Sequence, residues 1–195
     1  MAHEEVPLAT LFREVLSELA GRDDVALFGA QAVNAYCEPA RMTADLDVLS
    51  TRAEELIEAL KQHLATRFHL ALRVREVANG AGYRLYQVRK PKNRHLVDVR
   101  QVAELPPSQR IEGVAVAMPA ELVAMKVLSI QARQGREKEL SDRLDAVRLL
   151  RTFPDLKSEA GPVSERLREL HAPPQALAVW RELVSQQVEP DDDDD

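Results

Sequence analysis

The chain has 195 residues, enough for one domain or for one domain with an appended helical region. With 45% hydrophobic and 30% charged residues it can build a core, and this composition excludes an intrinsically disordered chain. The net charge is −6, but removing the run Asp191–Asp195 from the 32 acidic residues leaves 27 against 26 basic ones. The body is therefore near neutral and lacks the broad positive charge of a duplex-binding protein.

The compartment is indicated by what the sequence lacks. Cys37 is the only cysteine, which excludes an internal disulfide and is typical of a reducing compartment. The first residues show no basic segment followed by a long apolar run, and no stretch is long and apolar enough to span a bilayer. We therefore expect a cytoplasmic protein with no membrane partner.

The first half of the chain alternates helical and strand patterns. Apolar spacing predicts a helix over residues 6–20, and a short buried strand follows at Val25–Phe28. Small residues from Gly29 onward favour a helix that begins directly after this strand. Further strands are predicted at 45–50, 69–77, 83–89 and 95–102, with a helix at 51–68 and turns at 79–82 and 90–93.

The second half changes character. A loop is predicted over 105–109 and a short strand over 113–118, and every later segment shows helical spacing. The predicted helices span 119–134, 137–151, 162–171 and 174–188. The sequence thus predicts an α/β core over residues 1–117, a helical C-terminal region over 118–190 and an acidic disordered tail over 191–195.

Two aspartates interrupt the strand predicted over residues 45–50. Successive strand side chains point to opposite faces, so Asp45 and Asp47 share one face, and Leu46 and Val48 share the other. Two adjacent carboxylates repel unless one stays protonated or a cation lies between them. Mg²⁺ takes such hard oxygen ligands, so the pattern favours a metal site. An exposed strand face or a polar loop is the alternative.

Neighbouring residues strengthen the metal interpretation. Gly29 opens a helix, whose free N–H groups and positive dipole end suit phosphate, although a tight turn also explains this glycine. Arg41 could pair with phosphate or with Asp45, and Thr43 could contact a nucleotide, with a structural role open for each. Asp98 is a lone acid inside an apolar strand, which favours a functional group or a solvent-facing position.

This order of features resembles the DNA polymerase β-like nucleotidyltransferase superfamily. Its pattern is a Gly followed by Gly or Ser at a helix start, then D-x-D on a strand, then a distant third carboxylate. The stretch "FGAQAVNAYCEPARMTADLDVLS" is especially similar to AbiEii-type and related bacterial nucleotidyltransferases, with G-G-x-A, a short helix and R-x-T-x-D-x-D. The resemblance is strong over residues 25–50, moderate at 95–100 and weaker at 119–150. It implies an α+β fold with a mixed sheet flanked by helices.

The resemblance also implies a reaction. A nucleoside monophosphate would move from a nucleoside triphosphate (NTP) to a hydroxyl acceptor, with Mg²⁺ or Mn²⁺ as the cofactor. By match to the motif, Asp45, Asp47 and Asp98 would be the metal ligands and the catalytic residues. Asp98 would also help to accept the proton of the attacking hydroxyl.

Further positions match the family's substrate-binding motifs. Gly29 and Ala30 would lie under the phosphates, although Ala30 replaces a Gly or a Ser that can donate a hydrogen bond. Arg41 and Thr43 match the R-x-T motif, and Lys126 matches a lysine that would reach the triphosphate. The alternative for Lys126 is that its aliphatic stem packs on apolar residues while its ammonium group reaches water.

Two later acids fit the family pattern only loosely. Asp142 and Asp145 share a helix face and resemble the acids of a K-D-x-x-D motif, whose lysine is Ser141 here. The alternative is a solvated helix face or a brace between helices.

Acceptor and biological context stay open at this stage. AbiEii-type relatives suggest tRNA as acceptor and an antitoxin partner in a toxin–antitoxin or phage-defence pair, whereas other relatives modify proteins or antibiotics. The basic hairpin over residues 84–100 would guide an anionic acceptor or is simply a soluble hairpin tip. A catalytically weak or inactive protein that binds a nucleotide or a partner protein is the second hypothesis, and Ala30 favours it.

Overall fold

The computed structural model describes residues 6–77 and 79–186, so the acidic tail predicted at 191–195 lies outside the described residues. These residues form two compact units, which are considered separately. The sheet unit comprises residues 6–35 and 40–118, and the helical unit comprises residues 36–39 and 119–186. Within the described part of the chain, no helix is both long and apolar enough to cross a membrane.

The elements follow the predicted order closely. The helices are α1 Leu8–Leu19, α2 Gly29–Tyr36, α3 Ala53–Phe68, α4 Pro119–Ala132, α5 Glu137–Thr152, α6 Pro162–Glu169 and α7 Pro174–Ser185. The strands are β1 Val25–Phe28, β2 Leu46–Ser50, β3 Leu72–Val77, β4 Gly82–Gln87, β5 Arg94–Gln101, β6 Ser108–Ile111 and β7 Val114–Ala117. The predicted α+β class, a mixed sheet flanked by helices, is confirmed.

In the described residues, seven strands form one mixed sheet in the order β3-β4-β5-β2-β1-β7-β6. Two pairs are parallel, β2 with β5 and β1 with β7, and the other four pairs are antiparallel. The centre of the sheet therefore combines the consecutive strands β1 and β2 with β5, which comes from a later part of the sequence. The pairing of β2 with β5 brings Asp47 and Asp98 onto neighbouring strands.

One sheet face carries the core of the sheet unit. On β2 and β5, the side chains of Leu46, Val48, Val97 and Val99 are all fully buried. Helix α3 contacts β2, β4 and β5, and its own buried residues recur at helical spacing. Because the apolar residues alternate with the aspartates, the aspartates must project to the other face.

The helical unit is organised around α4. This helix contacts α5, α6 and α7, and apolar residues on most of its circumference are buried. Helices α6 and α7 each begin with proline, which costs little there because the first N–H groups of a helix have no intrahelical partner.

One short strand was not predicted. The loop expected over residues 105–109 ends in β6, which pairs antiparallel with β7. The two strands are joined by the two-residue turn Glu112–Gly113, which has positive φ at both positions and suits the twist of a hairpin. The polar residues of "SQR" concealed β6 because it is an exposed edge strand with no apolar alternation to read.

Two leucines of α5 test the importance of burial in the helical unit. Leu149 is 0% exposed and Leu140 is 69% exposed. We expect Leu149→Ala to lower the free energy of unfolding by about 2–5 kcal/mol, because it leaves a cavity in the core. The matched change Leu140→Ala should stay within about 0.5 kcal/mol, and urea unfolding of both variants measures the difference. Equal losses would contradict the described packing of α5.

Candidate active site

A row of side chains crosses the sheet on the face opposite the apolar core. Phe28 of β1 lies opposite Asp47 of β2, which in turn pairs in register with Asp98 of β5. Asp98 lies opposite Arg84 of β4. Residues directly opposite on neighbouring strands project to the same face, and adjacent strands are about 4.8 Å apart. The carboxylates of Asp47 and Asp98 are therefore side-by-side neighbours.

Gly29 and Asp47 are in direct steric contact at the start of α2. Gly29 has φ +71°, a conformation that side-chain-bearing residues rarely adopt. A Cβ placed on Gly29 would lie 2.0 Å from Asp47 Oδ2 and 2.8 Å from Asp47 Cβ. The glycine is therefore needed both for its backbone angle and for the close approach of the carboxylate. The same turn ends β1 and opens α2, with Ala30 half-buried as the second residue of the helix.

Asp45 precedes β2 and is held by a histidine. His95 Nδ1 lies 2.8 Å from Asp45 Oδ2, at which distance a protonated Nδ1 donates to the carboxylate. The imidazole stacks on the ring of Tyr86, with centroids 4.9 Å apart and an interplanar angle of 27°. His95 Nε2 is buried and has no hydrogen-bond partner among the described residues. Asp45 is thus oriented by an aromatic pair on β4 and β5.

Two arginines flank the carboxylates. Arg84 Nε donates to Asp98 Oδ2 at 2.9 Å, and this hydrogen bond raises the pKa of the Arg84 guanidinium. Arg100 lies over the Phe28 ring, with its guanidinium carbon 4.6 Å from the centroid. Asp98 itself is almost fully buried, at 7% exposure. A buried carboxylate of this kind needs a positive partner, and Arg84 supplies it.

The loop that carries Arg41 and Thr43 is tied to α2. Asn34 Nδ2 donates to the Arg41 carbonyl at 2.7 Å, and the Arg41 N–H donates to Asn34 Oδ1 at 3.0 Å. Thr43 Oγ1 lies 3.4 Å from Gln31 Oε1. Gln31 and Asn34 are three residues apart on one face of the helix, so they hold the R-x-T segment beside the helix that Gly29 opens.

Lys126 belongs to the helical unit and is almost fully buried there. Its Nζ lies 2.8 Å from Asp142 Oδ1 and 2.7 Å from Asp145 Oδ2, and Arg133 Nη1 lies 2.5 Å from Asp142 Oδ2. The two acids therefore brace α4 against α5 in this structure. The role predicted for Lys126 at a triphosphate stays a prediction.

Comparison with known proteins identifies the type of fold. No protein-family model matches the chain, and no curated protein matches it significantly in sequence. Solved structures do match. The polyadenylate synthase of Megavirus superimposes with a TM-score of 0.58 and 14% identity over 75% of this chain. A Helicobacter pylori protein inferred to be a nucleotidyltransferase gives a TM-score of 0.53 and 14% identity over 91% of this chain and 90% of its own.

A third match is an antibiotic-resistance factor. ANT(2″)-Ia has a TM-score of 0.50 and 15% identity, over 84% of this chain and 92% of its own. The chain has the nucleotidyltransferase fold. At these identities the similarity shows the fold alone, and the chain spans only 32% of the length of the Megavirus enzyme.

The nucleotidyltransferase fold raises the question whether these residues suit a divalent metal. Asp45, Asp47 and Asp98 offer carboxylate oxygens, the ligands that Mg²⁺ takes, and the latter two lie in register on one face. The donor chemistry therefore fits. In residues 6–77 and 79–186, no group of three or more His, Cys, Asp or Glu side chains is already gathered as a metal site. Asp45 and Asp98 are instead held by His95 and Arg84.

Four residues that contact the predicted site were not singled out from the sequence. They are Arg84, His95, Gln31 and Asn34. His95 begins the strand segment that carries Asp98, and a histidine near a lone strand acid is a weak signal on its own. Arg84 was grouped only with the basic hairpin. Its role depends on the register of β4 with β5, which is irregular between Leu85 and Tyr86 and is not specified by the sequence pattern.

Gly29 and Gly21 form a matched pair for testing the contact with Asp47. Gly21 also has positive φ, +76°, but a Cβ there meets nothing within 4 Å. We expect Gly21→Ala to cost about 1–2 kcal/mol of unfolding free energy, from backbone strain alone. Gly29→Ala should cost about 1–3 kcal/mol more, because Asp47 must move. Urea unfolding of both variants measures the excess, and equal losses would contradict the contact.

Proposed function

We propose that the chain is a Mg²⁺-dependent nucleotidyltransferase that moves a nucleoside monophosphate from an NTP to a hydroxyl acceptor and releases pyrophosphate. The observation that carries this proposal is the placement of Asp47 and Asp98 side by side, at the start of the helix that Gly29 opens. Two acids beside a helix N-terminus combine a cation site with a phosphate site. Phosphoryl transfer needs this combination of positioning and charge neutralisation.

The acids have separate roles in the proposal. Asp45, Asp47 and Asp98 would hold the metal, and a divalent ion there would supply a lowered pKa for the attacking hydroxyl and charge neutralisation for the phosphates. Asp98 accepts the proton of the acceptor hydroxyl. Arg84 donates to Asp98 Oδ2, so Oδ1 is the oxygen that we expect to take this proton. His95 keeps Asp45 in a fixed orientation through the 2.8 Å contact.

The triphosphate is assigned to the start of α2 and to the neighbouring loop. The backbone N–H groups after Gly29 form the positive end of the helix dipole, and Ala30 contributes its N–H but no side-chain donor. Arg41 and Thr43 are held against the helix by Asn34 and Gln31 and would contact the nucleotide. Lys126 is assigned to the phosphates by its match to the family motif, and in the helical unit its Nζ contacts the carboxylates of Asp142 and Asp145.

The acceptor is proposed from the resemblance alone. Similarity to AbiEii-type proteins favours tRNA as acceptor, an antitoxin as partner protein and a cytoplasmic site of action. A protein side chain or an antibiotic hydroxyl is the other acceptor class among relatives of this fold.

A binding module without turnover is the second candidate. Ala30 lacks the side-chain donor of the family motif, and both Asp45 and Asp98 already have positively polarised partners. Such a protein would bind a nucleotide or a partner protein at the same face of the sheet. It would show ligand-induced stabilisation without release of pyrophosphate.

Removing one carboxylate tests the metal–nucleotide site. A ligand present at one hundred times its Kd stabilises the folded state by about 2.7 kcal/mol, and each kcal/mol raises the Tm of a chain of this size by roughly 2–4 °C. We expect MgATP or MgCTP to raise the Tm of the natural chain. Asp47→Asn should abolish the shift, whereas Asp155→Asn, a change at an exposed turn of the helical unit, should preserve it.

Pyrophosphate release then separates transfer from binding. With bulk tRNA as acceptor, the enzyme hypothesis expects pyrophosphate in the presence of Mg²⁺ and none from Asp47→Asn. A thermal shift without pyrophosphate for any NTP or acceptor would support the binding module. The absence of any thermal shift with Mg²⁺ or Mn²⁺ and all four NTPs would contradict both the enzyme and a nucleotide-binding module, and would leave only a module that binds a partner protein.

Restoring the missing hydroxyl tests the position of the phosphates. Ala30→Ser adds a donor at the second residue of α2, and a hydrogen bond to a charged group contributes about 1.5–3 kcal/mol. We expect the Kd for the Mg²⁺–NTP complex to fall about tenfold. Ala35→Ser, an exposed position near the other end of α2, is the matched control and should leave Kd unchanged. An unchanged or weaker affinity in Ala30→Ser would contradict this phosphate position.

A further inference from the structure

A second concave feature lies on the sheet unit, beyond the acidic residues. An open pocket of about 310 Å³ is lined by Arg73 and Arg75 of β3, Tyr86 of β4, and Lys92 and Asn93 of the turn before β5. Three of the five lining residues are cations and none is acidic. The described residues provide no carboxylate partner for any of the three cations, all of which are exposed.

The pocket continues the row of the candidate active site. Arg75 lies opposite Arg84 across the β3–β4 pair, and Arg84 lies opposite Asp98. Arg75, Arg84 and Asp98 therefore project to one face, with about 4.8 Å between neighbouring strands. Arg73 is two residues from Arg75 and shares this face. The pocket thus begins roughly 10 Å from the carboxylate that we propose accepts the hydroxyl proton.

The charges of the pocket are incompletely compensated. Arg75 and Arg84 are like charges directly opposite each other, an arrangement that destabilises a sheet. Asp98 compensates Arg84, but no acid compensates Arg75 within the described residues. A bound anion would remove this repulsion. The guanidinium groups of Arg73 and Arg75 are also suited to two-point contact with phosphate oxygens.

An edge-strand explanation accounts for only part of the arrangement. β3 is at the edge of the sheet, and charged residues there oppose pairing with another chain. This purpose explains Arg73 and Arg75, but it does not require Lys92 and Asn93 to reach the same pocket from a different segment. Tyr86 lines the pocket beside the cations and also stacks on His95, which holds Asp45.

We propose that this pocket binds a phosphate ester group of the acceptor, with Arg73, Arg75 and Lys92 contacting its oxygens, so that a hydroxyl of the same molecule reaches Asp98. The assignment to the acceptor rests on the proposed nucleotidyl transfer, whereas the assignment as a phosphate site does not. The phosphate belongs either to an RNA strand or to a small phosphorylated molecule, because both present the same oxygens.

Binding without chemistry tests the phosphate site. The full chain is titrated into a fluorescently labelled short single-stranded RNA, in EDTA and without NTP, over about 50–200 mM salt. Each phosphate contact on a single strand contributes about 0.7 to the slope of log K against log salt. We expect the double variant Arg73→Gln/Arg75→Gln to lower this slope by about 1.4. The control Arg13→Gln/Arg168→Gln removes the same charge from two other exposed arginines and should keep the slope.

Competition separates the two sources of the phosphate. If a nucleoside monophosphate displaces the RNA from the natural chain, and does so less well from Arg73→Gln/Arg75→Gln, the site takes a small phosphorylated ligand. If only RNA competes, it takes a strand. Equal slopes for the double variant and the natural chain, or equal losses in both double variants, would overturn the phosphate site.

Turnover measurements distinguish failure of the phosphate pocket from failure of the proposed function. With bulk tRNA as acceptor, Arg73→Gln/Arg75→Gln should raise the KM for the acceptor with kcat unchanged, as expected for groups that only bind the substrate. If the natural chain transfers no nucleotide, the proposed function fails while the salt slope still decides the pocket. If the natural chain transfers nucleotide and the double variant keeps both KM and slope, the pocket alone fails.

Discussion

The carboxylate of Asp47 occupies the space that a side chain at residue 29 would need, because a Cβ there would lie 2.0 Å from Asp47 Oδ2. This contact joins the end of β1, the start of α2 and the second residue of β2 at one point. The turn after Phe28 must therefore be a glycine in a left-handed conformation. The helix that follows is directed with its N-terminus toward the acids, which is the feature on which the proposed phosphate site depends.

From Asp47 toward β3, the charge on this face of the sheet changes from acidic to basic. Acidic groups lie on β2 and β5, and basic groups lie on β4 and β3, in register across the strands. Arg84 stands between the two regions, since it faces Asp98 on one side and Arg75 on the other. A hydroxyl-bearing anion bound at the basic end would point toward the acidic end. The proposed metal site and the proposed phosphate pocket are in this sense two parts of one surface.

The sequence predicted the class of the fold because its signals are local. Apolar periodicity, glycine turns and helix-initiating prolines identified nearly all elements, and the exception was β6, whose "SQR" carries no alternation. Among candidate site residues, Asp45, Asp47 and Gly29 lie within one short stretch that can be read directly. His95 could not be assigned to Asp45, because this contact arises from pairing between strands that are distant in sequence. Arg84 could not be assigned to Asp98, because the register of β4 with β5, which is irregular between Leu85 and Tyr86, cannot be read from local spacing.

Spacing along the chain predicted that Asp45 and Asp47 share a strand face, although β2 begins only at Leu46, and it predicted correctly that a helix begins at Gly29. Strand alternation and helix initiation depend on a few adjacent residues. The register of β2 with β5 is a tertiary property. It set Asp98 beside Asp47. The register of β4 with β5 set Arg84 against Asp98, and the register of β3 with β4 left Arg75 facing a like charge. Packing likewise placed the ammonium group of Lys126 against two buried carboxylates instead of leaving it in solvent. These outcomes depend on strand register and burial, which no short segment of the sequence specifies.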